Sequence, residues 1–213
     1  MFRFLTLFFL LSLSFSCMKE KESDKKLLTD YIPLLENGNI NVVIEIPAGT
    51  NEKWEVEKNT GKLKLETLED GCSRLVNYLP YPTNYGMIPR TLLPKNMGGD
   101  GDPLDVLVLG KPITRGTVVA CKLIGVMKLL DRGEQDDKLI AVSTDSRFFK
   151  INNLEELEDS FPGVMDITRI WFSNYKGKGK MKFIGFDGLQ VSDSILSMSI
   201  LEYKKLTNNL NNN

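Results

Sequence analysis

The chain has 213 residues, of which 27 are Lys or Arg, 28 are Asp or Glu and none is His. That length suits one domain with a real core, and a net charge of −1 supplies no global field for nucleic acid. Without imidazole there are no usual zinc sites and no Ser-His-Asp or Cys-His nucleophiles, so any catalysis rests on carboxylates, Lys, Arg, Tyr and oxygen-preferring metals.

The N-terminus, "MFRFLTLFFLLSLSFSC", has a positive start at Arg3, an apolar centre and small residues before Cys17. It reads as a signal peptide over 1–16. Its Ser14-Phe15-Ser16-Cys17 ending resembles a bacterial lipobox, with Ser where Leu is more usual, and predicts an exported cell-envelope lipoprotein anchored through a lipidated Cys17. Residues 18–38 read as a polar tether ending in the turn signal Asn37-Gly38. A domain is expected over 39–207, then a low-complexity tail, 208–213, expected to be disordered. Cys72 and Cys121 have no spacing that demands a disulfide, and two buried thiols are expected as readily.

Strand-like segments follow in order: "NVVIEIP" (41–47), "KWEVEK" (53–58), "GKLKLETL" (61–68), "DVLVLG" (105–110), "TVVACKLIGVMKLL" (117–130) and "KLIAVS" (138–143). Period-2 geometry sets Glu45 opposite Ile44 and Ile46, and sets Lys53, Glu55 and Glu57 opposite Trp54 and Val56. Strand by strand, this predicts a core face and a solvated face. Helical signals come late. "NNLEELEDSFPG" offers an Asn cap and a Pro-Gly stop, and "DITRIWFSNYK" offers a capping Asp166 with Ile167, Trp171 and Tyr175 along one face. "SDSILSMSILEYKKL" (192–206) predicts a closing helix. Many short strands before a few helices indicate an α+β domain, a closed or nearly closed barrel with helices packed outside.

The stretch "GGDGDPLDVLVLG" (98–110) crowds Asp100, Asp102 and Asp105 at the mouth of an apolar strand. Like charges so placed are costly unless cations sit among them, so the stretch is either an acidic turn or a hard-metal site. A calcium loop starting at Asp100 fails, because Leu104, Asp105 and Lys111 occupy places that need an oxygen ligand, Gly and Glu. An aspartyl-nucleophile phosphatase needs a strand running into the motif, whereas "LLPKNMGG" precedes it. A second acidic loop, "DRGEQDDK", carries Asp131, Glu134, Asp136 and Asp137. If the sheet joins the loops, oxygen-only ligands favour Mg²⁺ or Mn²⁺, and a polyanionic substrate balances the charge. Lys53, Arg74, Tyr85, Lys138, Tyr175 and Lys176 are the groups suited to hold phosphate.

"DGDPLDVLV" resembles the D-x-D-P-x-D signature of the family I soluble inorganic pyrophosphatases. "VVIEIPAG", "KWEVEK", "PYPTNYGMIP", "GVMKLLDRGEQDDKLIAV" and "WFSNYKGKGK" match that family's other blocks in order, over approximately residues 40–190. The resemblance implies a small closed β-barrel, five-stranded and OB-like, with a few helices outside, mostly from the C-terminal third. It implies hydrolysis of inorganic pyrophosphate with several Mg²⁺ ions, Mn²⁺ being a substitute, in a homo-oligomer. Asp100, Asp105, Asp131 and Asp136 match the family's principal metal ligands, Glu45 and Glu55 the carboxylates binding further metal through waters, and Asp102 the group activating the attacking water. Lys53, Arg74, Tyr85, Lys138, Tyr175 and Lys176 match the pyrophosphate-holding groups, with Tyr81 in the same shell. The acidic residue usual just before the Arg is absent from "CSRLVNYLPY", and the loop differs in length, so the path of Arg74 to phosphate stays open. Two other functions are carried alongside: an exported phosphatase for another small phosphoanhydride, and a non-catalytic surface lipoprotein that only binds. "GKGK" (177–180) reads as a basic turn, Trp54, Trp171 and Met87 as packing, and neither thiol as a nucleophile.

Overall fold

The structure, a computed structural model, describes residues 25–93, 99 and 101–211. The signal peptide, Cys17, Asp100 and residues 212–213 lie outside them. The strands are β1 (Ile40–Ile46), β2 (Trp54–Val56), β3 (Leu63–Leu65), β4 (Asn84–Met87), β5 (Asp105–Leu109), β6 (Val118–Asp131), β7 (Glu134–Gln135), β8 (Lys138–Ser143) and β9 (Met181–Asp187). The helices are α1 (Leu154–Ser160), α2 (Val164–Asn174) and α3 (Leu189–Asn211).

Five strands close a ring in the order β1-β4-β5-β8-β6, with β6 returning to β1. All neighbours are antiparallel except β5 and β8. Closure needs one long strand, and β6 supplies it with 14 residues. Its first part pairs β1, its middle β8, and its last part β7 and β9. The ring also needs a close approach of β1 and β4: a Cβ on Gly86 would stand 1.9 Å from the Val43 carbonyl oxygen, which only glycine avoids.

Alternation gives the ring strands two apolar faces. Val106, Val108, Leu139 and Ala141 pack with Ile195 and Leu196 of α3. Leu107, Leu109, Ile140 and Val142 pack with Leu157 of α1 and with Trp171 and Phe172 of α2. The expected solvated face is therefore covered on these strands. On β1 it is covered too, because Val43 packs with Val56 of the β2–β3 ribbon and with Met87.

Several boundaries differ from the sequence reading. Residues 25–38 do not hang as a tether. Leu27 N–H donates to Gly61 O at 2.8 Å, Asn41 N–H to Pro33 O at 3.0 Å, and Leu34 bridges Ile40. The helix expected over 192–206 spans Leu189–Asn211 and so runs on into the segment expected to be disordered, and Ser192, Ile195, Leu196 and Ser199 form its buried stripe with helical period. Helix α2 starts at Val164 after Gly163, so Asp166 lies in its first turn instead of capping it. Ile167 is 59% exposed, and Thr168, Trp171 and Phe172 take the buried face. Strand β9 was not anticipated. Cys121 is buried and Cys72 exposed, both as free thiols.

Candidate functional site

Strands β5 and β8 run parallel, so their first residues, Asp105 and Lys138, open onto the same end of the sheet. Lys138 is 2% exposed, and its Nζ donates to Asp105 Oδ2 and to Asp136 Oδ1, each at 2.6 Å. Lys176, just beyond α2, donates to Asp131 Oδ2 at 2.7 Å and lies 3.9 Å from Asp136 Oδ2. The two acidic loops thus meet: the Lys138 ammonium joins them, and the Lys176 ammonium lies against the two carboxylates of the second.

Burial opposes charge on Asp105, but Lys138, the Tyr85 hydroxyl and Lys53 outweigh it and hold the carboxyl below the ordinary carboxylate range. Burial likewise opposes the Lys138 ammonium, while Asp105 and Asp136 hold it well above the usual lysine range. Burial pushes Tyr81, Tyr85 and Tyr175 above the usual phenol range, so all three remain hydrogen-bond donors at neutral pH. Glu45 lies in the covered face of β1 and accepts from Val56 N–H at 2.7 Å. Burial raises its pKa to about 7 against the pull of Lys53 and Val56, with Asp105 and Glu55 adding to the rise.

Among the described residues, Asp131 Oδ1 and Asp136 Oδ2 are buried and accept no hydrogen bond. Buried carboxylate oxygens without a partner are costly, and an oxygen-only donor set with spare lone pairs fits a hard divalent cation. Among the described residues, no set of three or more acidic side chains is arranged around one metal position; the lysine ammoniums bridge them instead.

Lys53 lies 5.3 Å over the Tyr85 ring. Its backbone enters a closed cycle: Lys53 N–H donates to Arg74 O at 3.0 Å, Arg74 N–H to Glu66 O at 2.8 Å, and Glu66 N–H to Lys53 O at 2.9 Å. The Glu66 carboxylate also pairs with the Arg74 guanidinium. Arg74 therefore finds its carboxylate partner across the hairpin and not in the residue before it. Glu66 was missed because its strand alternation looks the same as that of Lys64, a solvated neighbour.

An aromatic cluster sets the tyrosines. Trp171 stacks on Tyr175 at 4.6 Å and tilts against Tyr81 at 4.5 Å, while its Nε1–H donates to Leu79 O at 2.9 Å. Two expected residues stand apart from this cluster. Glu55 is exposed on β2, opposite Lys64. Asp102 is half-exposed in the loop before β5 and its carboxylate pairs with Lys58, a residue the sequence reading did not single out.

Residues 42–204 match the family model described as inorganic pyrophosphatase. The chain is 34% identical over 172 residues to the inorganic pyrophosphatase of Ralstonia nicotianae, covering 78% of this chain and 92% of that protein. It is 38% identical over 157 residues to soluble inorganic pyrophosphatase 5 of Arabidopsis thaliana, with 73% of this chain and 66% of that one covered. The crystal structure of inorganic pyrophosphatase from Thermus thermophilus superposes with a TM-score of 0.72 at 28% identity, over 84% of this chain and 99% of that one.

Proposed function

Because the chain belongs to the inorganic pyrophosphatase family and is an inorganic diphosphatase, we propose that it hydrolyses pyrophosphate by direct attack of water, with Mg²⁺ held by Asp105, Asp131 and Asp136 and by Asp100, Glu45 and Glu55 around them. The observation that carries this reading is the Lys138 ammonium bridging Asp105 and Asp136, which come from loops 31 positions apart (136 − 105). When bound, the metal supplies positive charge and acidifies water, from a pKa of about 15.7 toward roughly 7. Mn²⁺ has the same hard-donor preference.

The protein's own groups divide the remaining work. Lys53, Arg74, Lys138 and Lys176 offer permanent positive charge to the diphosphate oxygens, and protonated Tyr85 and Tyr175 offer hydroxyl donors. Asp102, held by Lys58 and open to solvent, accepts the proton of the attacking water. The water oxygen bonds to one phosphorus, the bond from that phosphorus to the bridging oxygen breaks, and two phosphates leave. No covalent enzyme intermediate forms. Tyr81 and Trp171 hold the phenols in place rather than touching substrate.

Phosphate release from pyrophosphate, measured with the purified protein in Mg²⁺ and again in EDTA, tests the reading. Turnover lost in EDTA and restored by Mg²⁺ is expected, and equal rates in both would remove the metal. We further propose that Cys17 anchors the enzyme in the cell envelope. The lipobox-like ending supports this, and a Cys17→Ala variant that still fractionates with membranes would refute it.

A further inference from the structure

The proposed proton acceptor, Asp102, pairs with Lys58, and both side chains are half-exposed. A pair open to solvent contributes about 0–1 kcal/mol, too little to fix a carboxylate by attraction alone. The backbones that carry the two residues must set their distance, and one segment reaches both. On the Lys58 side, Leu27 N–H donates to Gly61 O at 2.8 Å, at the end of the β2–β3 turn that begins at Lys58. Gly61 has φ 66°, and a Cβ there would lie 2.8 Å from Lys26 Cβ, so the segment is laid directly on that turn. Leu27 and Leu28 pack against Val43, Val56 and Met87.

On the Asp102 side, Arg90 grips the same segment twice. Its backbone N–H donates to Leu28 O at 3.1 Å and its Nε–H to Thr29 O at 2.6 Å. Arg90 follows Pro89 in a turn and has φ 54°, a place that favours Gly or Asn. An Arg there is strained, and an observed outlier invites a functional account; what it adds is a long donor that Gly and Asn lack. The connection then continues to Asp102. Buried Thr91 donates from Oγ1 to Ile88 O at 2.7 Å and accepts from Leu104 N–H at 3.0 Å, and Leu93 N–H donates to Asp102 O at 3.3 Å. Residues 26–30 therefore form a strap from the turn of Lys58 to the loop of Asp102, closing a ring of contacts in which the ion pair is one member.

We propose that Arg90 is a positioning residue, which through the strap at 26–30 keeps the Asp102 carboxylate in register with Lys58 and aimed at the attacking water. The inference rests on Asp102 being the proton acceptor. With the strap released, the two loops are joined only by the exposed pair, and the carboxylate drifts; a displacement of about 1 Å costs up to about 10²-fold in rate. Substrate binding is spared, because Lys53, Lys138 and Lys176 are set by other partners: Arg74 and Glu66, Asp105 and Asp136, and Asp131.

Two variants of the full chain release opposite ends of the strap. Arg90→Asn keeps the positive φ, which Asn tolerates, and loses the Nε donor. Gly61→Asn also keeps its φ and drives a Cβ against Lys26. Each is expected to lower kcat for pyrophosphate about tenfold with KM changed less than about twofold, and Arg90→Lys, which retains a long donor, is expected to recover most of the loss. In an Asp102→Asn background the same variants are expected to cost less than about twofold, because the group they position is already gone. An unchanged kcat in either variant, or a tenfold loss that persists in the Asp102→Asn background, would overturn the positioning role. If Asp102→Asn itself turns over normally, the assignment of Asp102 fails, and hydrogen exchange read by mass spectrometry still judges the strap: faster exchange over both 57–62 and 101–105 in Arg90→Asn supports its hold on the two loops, and unchanged exchange over either refutes it.

Discussion

Replacing Lys138 by Met removes the buried cation that makes two partly buried carboxylates tolerable. At 2.6 Å from each of Asp105 and Asp136, an effective dielectric of about 20 gives roughly 6 kcal/mol of attraction per pair. Desolvation of the ammonium cancels much of that, and breaking buried pairs in other proteins costs about 3–5 kcal/mol. Against a total stability of about 5–15 kcal/mol, Lys138→Met is expected to bring the metal-free protein close to unfolding. The bared carboxylates then become a stronger cation site, so Mg²⁺ at about 100 times its Kd is expected to return about 2.7 kcal/mol, more than the wild type gains at the same concentration. Urea unfolding with and without Mg²⁺, followed by far-UV circular dichroism, reads both quantities. A loss under about 1 kcal/mol, or the same Mg²⁺ gain in both proteins, would show that Lys138 does not stand in for a cation.

Asp102→Asn is expected to lower kcat by about 10²–10⁴-fold while KM and Mg²⁺ affinity change little; steady-state kinetics decide, and near-normal turnover would remove Asp102 from proton transfer. Glu45 has a folded pKa of about 7 against an ordinary value of 4.5, so its contribution is fully present below pH 4.5 and is lost as pH rises through 7. At about 1.36 kcal/mol per unit, metal-free protein is expected to lose roughly 3 kcal/mol across that window. A Glu45→Gln variant should lack this slope in urea titrations. Burial pushes the Cys121 thiol up to about 12, so at pH 8 iodoacetamide should label exposed Cys72 and spare Cys121 in the folded protein, as peptide mass spectrometry would show.

The sheet was readable in the sequence because its buried strands carry unbroken aliphatic runs. "KLIAVS" coincides with β8, residue for residue. Strand β9 escaped because Gly185 and alternating Lys182 and Ile184 blur its period, and because its partner is the far end of β6. The tether was misread for a related reason: Leu27 and Leu28 find their apolar surface against Val43 and Met87, residues distant in sequence. In the site, Asp105, Asp131 and Asp136 stood out by motif and do converge. The partners that fix the outer groups, Glu66 for Arg74 and Lys58 for Asp102, did not stand out, because the first pairing crosses a hairpin and the second joins two loops distant in sequence. Side-chain spacing along a strand says which way Glu66 points but not what it meets.

The backbone cycle through Lys53, Glu66 and Arg74 has a bearing on how such chains diverge. Lys53 and Glu66 lie before the excursion at 68–72, whose base is closed by the Thr67–Ser73 bridge, and Arg74 lies immediately after it. Residues can be added to or removed from that outward bulge without sliding Arg74 relative to Lys53. Its length is free to drift among descendants of one ancestor, while the guanidinium they inherit keeps its address.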